Sequence, residues 1–150
     1  MESSIVQSIV SVNAIIIYGD EILLQRVVKK NNALWFPGGK VEWDESFEEG
    51  LFREIQEETG IAPEKYSYEK IAILHEKPQV TCKHIYILKM KEKIENFSFQ
   101  DTEISDCFWI KLSDIPQDIK EYRNWWVYYT LRDYIKGRFS REKFLYQPTI

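Results

Sequence analysis

Gly39-Lys40-Val41-Glu42-Trp43-Asp44-Glu45-Ser46-Phe47-Glu48-Glu49-Gly50-Leu51-Phe52-Arg53-Glu54-Ile55-Gln56-Glu57-Glu58-Thr59-Gly60-Ile61 is the stretch on which the reading of this chain turns. Within it, residues 42 to 58 hold eight acidic side chains and one base, Arg53. The second half has the marks of a helix. Ser46 is a suitable N-cap, with Glu49 three residues on as its capping-box partner. Phe47, Leu51, Phe52 and Ile55 recur at spacings of three and four and form one apolar stripe. Gly60 supplies the stop. On this helix Glu54, Glu57 and Glu58 stand at i, i+3 and i+4, so three carboxylates share one face within one turn. Like charges this close repel, and one of them also opposes the helix dipole at its C-terminal end. A hard divalent cation bound through oxygen, Mg²⁺ or Mn²⁺, would compensate. A solvated acidic face is the ordinary explanation of such a charge run.

The spacing separates these readings. The stretch fits Gly-x5-Glu-x7-Arg-Glu-U-x-Glu-Glu-x-Gly-U, with U a bulky aliphatic residue, at Gly39, Glu45, Arg53, Glu54, Ile55, Glu57, Glu58, Gly60 and Ile61. This is the Nudix box, and the chain resembles the Nudix hydrolase family, whose members hydrolyse a nucleoside diphosphate linked to another group, X. The resemblance implies that Glu54, Glu57 and Glu58 hold the catalytic metals, with the backbone carbonyl of Gly39 as a further ligand. It implies that Arg53 orients the catalytic glutamate and that Glu45 supports the loop and metal site. Mg²⁺ is the implied cofactor, with Mn²⁺ as substitute.

Length and composition set the frame. At 150 residues, 44% of them hydrophobic, the chain is expected to form one domain spanning residues 1 to 150 around a real core. The net charge of −4 argues against a nucleic-acid surface built on a broad basic patch, though not against a nucleotide substrate. Cys82 and Cys107 lack partner-like spacing and read as reduced, buried thiols. The first residues lack the basic start and apolar core of a signal peptide, and no apolar run reaches the length of a membrane span. A cytoplasmic setting is expected.

Residues 8 to 18 are β-branched and apolar, a buried central strand. Gly19-Asp20 turns the chain into a returning strand, Glu21 to Val28. Arg26, near its end, is either a surface charge or a phosphate contact, and the resemblance favours the contact. Gly38 and Gly39 let backbone approach a ligand closely. Trp35 reads as packing before it reads as a base-stacking platform. Two strands follow the acidic helix, Tyr66 to Glu76 and Cys82 to Lys91, joined through residues 77 to 81. His75 and His84 have no zinc-like spacing and are expected to be structural or exposed. Cys107 to Lys111 is a short strand, Ser113-Asp114 a helical turn, and Glu121 to Lys136 a second helix, stopped by Gly137. That helix is apolar on most sides and is expected to pack on both. Part of its surface is a candidate face for a ligand or for a second copy of the chain in a homodimer. The element order predicts α/β architecture with a mixed β-sheet between helices, which matches the α/β/α sandwich implied by the resemblance.

Hydrolysis also needs a base. The resemblance offers Glu54 or an acidic residue in the loop before the last strand. Asp101, Glu103 and Asp106 stand there. Glu103 is the choice, as fourth metal ligand or base, because it lies six residues before Trp109, as in MutT-like members of the family. Asn124, fifteen residues after Trp109, matches an asparagine that reads a purine edge in those members. Before a helix an asparagine is ordinarily a cap. The leading expectation is hydrolysis of a nucleoside triphosphate to monophosphate and pyrophosphate. Alternatives are a nucleotide sugar, ADP-ribose, a dinucleotide or an RNA cap as substrate, or a non-catalytic nucleotide-sensing module. The intact box counts against the last.

Overall fold

Strand β1, Ile9–Tyr18, lies at the middle of a mixed sheet. The computed structural model describes residues 9–76, 81–139 and 145–146. Along β1, Val12, Ala14 and Ile16 alternate with Ile15 and Ile17, and all five are buried. The two sets enter different cores, which is why the strand reads as an unbroken apolar run rather than an alternating one.

The Gly19 turn, at a φ of 60°, returns the chain as β2, Glu21–Val27. Two short strands follow: β3, Ala33–Trp35, antiparallel to β2, and β4, Gly38–Lys40, antiparallel to β1. Strand β5, Tyr66–Glu76, pairs antiparallel with β6, Thr81–Met90, which lies parallel to β1. Strand β7, Ile104–Lys111, closes on the free side of β2, and β8, Leu145–Tyr146, runs parallel to β5.

The helix α1, Phe47–Thr59, packs Leu51 and Ile55 against Val12, Ala14, Ile16 and Leu23. Full burial of each such side chain is worth about 1.5–3 kcal/mol. The helix α2, Trp125–Ile135, packs Trp126, Val127 and Leu131 into the other core with Ile15, Ile17 and Leu24. The sheet therefore lies between the two helices, as expected.

Several boundaries differ from the sequence reading. Strands β3 and β4 are three residues each, too short to show a period. Strand β7 starts at Ile104 rather than Cys107, because its pairing with β2 continues to Val27 past a bulge. Residues Ile119–Glu121 form a separate 3₁₀ turn, capped by Asp118, so α2 starts at Trp125. Helix α2 is not packed on both faces: Trp125 and Ile135 are each 42% exposed. The expected connection through Pro78 lies outside the described residues. Of the apolar stripe on α1, Phe47 lies at the rim, its ring 4.1 Å from that of His84. His84 is buried, in keeping with a structural role.

Candidate active site

The local geometry begins with the ends of α1. The Ser46 hydroxyl accepts a hydrogen bond from the Glu49 amide at 3.1 Å. At the other end Gly60 takes a φ of 80° and donates to the Gln56 carbonyl at 2.9 Å. The helix is thereby fixed in length, and its acidic last turn is set against β4.

Arg53 organises the carboxylates. Its guanidinium grips Glu45 with two bonds, Nη2–Oε1 at 2.6 Å and Nε–Oε2 at 3.0 Å. Nη2 also donates to the Lys40 carbonyl at 3.0 Å, which ties the helix to the end of β4. Nη1 donates to Glu54 at 3.0 Å and to Glu57 at 3.3 Å. The hydrogen bond to Glu45 raises the Arg53 pKa and, in return, holds the Glu45 carboxyl below the usual range. A bidentate arginine–carboxylate fork of this kind is directional as well as strong. Both roles expected for Arg53 and Glu45, orienting Glu54 and holding the loop, fit these contacts.

Glu54 and Glu58 are drawn into the fold. Burial raises the Glu54 carboxyl, against the opposing pull of Arg53. Burial, together with the Glu54 charge, pushes Glu58 up to about 8. Glu58 receives a backbone hydrogen bond from Gly38, yet its Oε2 is buried without a hydrogen-bond partner. Glu57 is different: its side chain is 42% exposed and turns to Arg53.

The glycine pair accounts for the close approach. Gly38 has a φ of 148°, and a Cβ there would collide with the Val12 carbonyl. A Cβ on Gly39 would lie 2.6 Å from the Glu54 carboxylate. The missing side chain of Gly38 thus lets β4 lie close to β1, and that of Gly39 lets it lie directly against the acidic turn.

A cleft of about 570 Å³ opens over this floor. Gly38, Gly39, Glu54 and Glu58 line it, and Asp101 and Glu103 join from the loop before β7. Trp35, Arg123 and Asn124 line it as well, with Ser11 and Asn13 of β1 and Lys83 of β6. Nine of the residues expected at the site are thus brought together or linked through Arg53: Gly38, Gly39, Glu45, Arg53, Glu54, Glu57, Glu58, Glu103 and Asn124. Glu57 and Arg26 are not among the cleft's lining residues. Arg26 instead donates to the Asn32 carbonyl at 3.0 Å and lies over the Phe108 ring.

Glu103 lines the cleft, but its carboxylate pairs with Lys29 at 2.8 Å, and that hydrogen bond lowers its pKa. Asp101, passed over in the sequence reading, is the loop carboxylate whose charge helps to raise Glu58, and its Oδ1 accepts from the Glu103 amide at 2.8 Å. Asn124 occupies the N-cap position of α2, yet its side chain makes no capping bond. Trp35 serves in packing: it meets Trp126 edge-on at 5.1 Å, while Arg123 lies 4.5 Å over its ring. Gln25, not singled out from the sequence, is fully buried under the site. Its amide donates to the Glu58 carbonyl at 3.0 Å and to the Cys107 sulfur at 3.3 Å, which anchors the last turn of α1. A glutamine directly after the apolar run Ile22-Leu23-Leu24, in the same strand, is the signal available for it. Buried polar groups cost stability unless bonded, so such a residue has a partner to find.

Among the described residues, no group of three or more His, Cys, Asp or Glu side chains stands arranged to hold a metal ion. Arg53 holds Glu54 and Glu57 to itself. The donor set nevertheless fits a hard cation. It is all oxygen, it includes a partnerless buried carboxylate oxygen on Glu58, and the Gly39 cradle would close if a side chain were added.

The NUDIX domain model matches residues 8–133. A NUDIX hydrolase from Nitrosomonas europaea shares the fold at a TM-score of 0.72 and 23% identity, over 89% of this chain and 92% of that one. The MutT NUDIX hydrolase from Burkholderia pseudomallei superposes at 0.61 with 25% identity, over 75% of this chain and 89% of that one. The 8-oxo-dGTP diphosphatase of Escherichia coli (strain K12) is 51% identical over 41 residues, 27% of this chain. The matched stretch spans 32% of that relative's length. With the complete box, the two-sided sheet and the family model agreeing, the chain belongs to the Nudix domain family.

Proposed function

We propose that this chain is a divalent-metal-dependent pyrophosphohydrolase that cleaves a nucleoside triphosphate to monophosphate and pyrophosphate. One observation carries the reading: on one face of α1, Glu58 is buried and Glu54 half-buried, burial raises both carboxyls, and Glu58 Oε2 has no hydrogen-bond partner. A carboxylate oxygen buried without a partner costs stability, and a bound cation would offset that cost.

Glu54, Glu57, Glu58, the Gly39 carbonyl and a loop carboxylate, Glu103, would hold Mg²⁺, or Mn²⁺ in its place. When bound, the cation supplies positive charge against the phosphate oxygens and acidifies water. The chain's own residues do the rest. Arg53 fixes Glu54 through Nη1, so that this carboxylate, the first candidate for general base, meets the reacting water in one orientation. Glu57 would reach the cation by giving up its bond to Arg53, which is part-buried and long at 3.3 Å. Asp101 and Glu103 are the alternative bases. Asn124, uncommitted to a cap, offers an amide to a base edge, and Arg123 with Trp35 forms a flat wall beside it. The partial likeness to an 8-oxo-dGTP diphosphatase supports a purine nucleotide. A cytoplasmic setting, in which Cys82 and Cys107 remain reduced, belongs to the same proposal.

The test is a hydrolysis panel of nucleoside triphosphates and nucleotide conjugates in ¹⁸O water, with products identified by mass spectrometry. Monophosphate and pyrophosphate should form with Mg²⁺ or Mn²⁺ and not in EDTA. Full turnover without metal would overturn the proposal.

A further inference from the structure

Beside the cleft lies a second concavity, about 370 Å³ in volume. Arg26, Lys29, Lys30, Lys120 and Arg123 line it, with Glu121 as the one carboxylate on its wall. Five cations converge here in a chain whose net charge is −4. Like charges gathered in a concave site raise the local potential and attract a counter-ion. Two of them are held in place: Arg26 by the Asn32 carbonyl and the Phe108 ring, Arg123 by the Trp35 ring 4.5 Å away. A guanidinium stacked on an aromatic face keeps its in-plane donors for a bidentate acceptor. Arg123 lines both concavities, and the Lys29–Glu103 pair spans from one to the other. The two spaces therefore adjoin.

We infer that this basic concavity receives a phosphate at the far end of X, so that the enzyme prefers nucleoside polyphosphates to conjugates in which X is neutral. The diphosphate lies along the main cleft against Glu54 and Glu58, and the terminal phosphate enters the second space past the Lys29–Glu103 pair, away from the base at Asn124. The inference rests on the pyrophosphohydrolase reading for the substrate's other half, but the anion site itself stands on its own residues.

Lys30 and Lys120 have no assigned part in the chemistry, and both are exposed. In a Lys30→Gln/Lys120→Gln double variant, KM for dGTP with Mg²⁺ should rise about tenfold, the scale of one charge-assisted hydrogen bond, with kcat little changed. KM for ADP-glucose, whose X is neutral, should be unaffected. Equal effects on both substrates, an unchanged KM for dGTP, or better turnover of ADP-glucose than of dGTP by the unmodified protein would overturn the inference. Calorimetric titration with inorganic tripolyphosphate in EDTA reads the site without catalysis. Binding should be measurable and weaken at least fivefold in the variant, in proportion to the lost cations. No binding, or equal affinity, would overturn it. If neither nucleotide is hydrolysed while tripolyphosphate binding is still lost in the variant, the hydrolase reading falls and the anion site survives.

Discussion

At the residue scale, Glu58 links stability to function. Its folded pKa of about 8 lies above its ordinary 4.5, so between those values the folded state binds more protons than the unfolded one. Stability from this group is present in full below the unfolded value and is lost as pH rises through the folded one. His84 works the other way: burial lowers it from 6.5 to about 4, so its contribution is lost as pH falls through that range. The clean window is therefore pH 6.5 to 8. There, in EDTA, the melting temperature should fall as pH rises, and saturating Mg²⁺ should flatten the slope by favouring the ionised carboxylates. A melting temperature that climbs across this window in EDTA would show that Glu58 is not buried as described. Asn124 gives a second prediction. Because no capping bond exists to lose, Asn124→Ala should cost less than the ~1 kcal/mol of a lost cap. It should instead raise KM for the preferred nucleotide and flatten selectivity among GTP, ATP, CTP and UTP, with kcat nearly constant. Unaltered selectivity would remove Asn124 from base recognition.

At the scale of elements, the fit of β4 against α1 decides whether Glu54 is where it must be. Gly39→Ala places a methyl 2.6 Å from that carboxylate, so Glu54 must swing away and loosen its bond to Arg53. Activity should drop by about 10²-fold or more, the usual consequence of misplacing a catalytic group by an ångström. The melting temperature should move little, since the displaced group is a side chain rather than core. Retained activity would place the reacting groups elsewhere. The same element shows what sequence could and could not reveal. The α1 cap, stripe and stop were legible because each is a local signal over a few residues: Ser46, Leu51 with Ile55, Gly60. Strands β3 and β4 were not, because three residues carry no period and exist as strands only through β2 and β1. The start of α2 was misplaced for a related reason. Residues Ile119–Glu121 have helical composition, but they close as a separate 3₁₀ turn.

At the scale of the whole molecule, the ingredients of the site were legible and their arrangement only partly so. The box positions fixed which carboxylates to consider, since their spacing is written in one ungapped stretch. Which of them turn inward depends on distant partners: Gln25 beneath Glu58, Lys40 behind Arg53, and Lys29 drawing Glu103 aside. Asp101 could not be preferred to Glu103 without knowing that Lys29 stands next to one of them. The basic concavity was equally hidden, since its cations come from two segments nearly a hundred residues apart. The measurement that tests the central claim most directly is kcat for hydrolysis of the preferred nucleoside triphosphate by Glu58→Gln, with a melting curve alongside. The substitution keeps the volume and removes the charge from a buried carboxylate. The account predicts a folded protein, at least as stable in EDTA as the unmodified chain, with kcat lower by about 10³-fold or more, roughly 4 kcal/mol. A loss below about tenfold, near 1.4 kcal/mol, would contradict it and leave the acidic turn of α1 without a catalytic role.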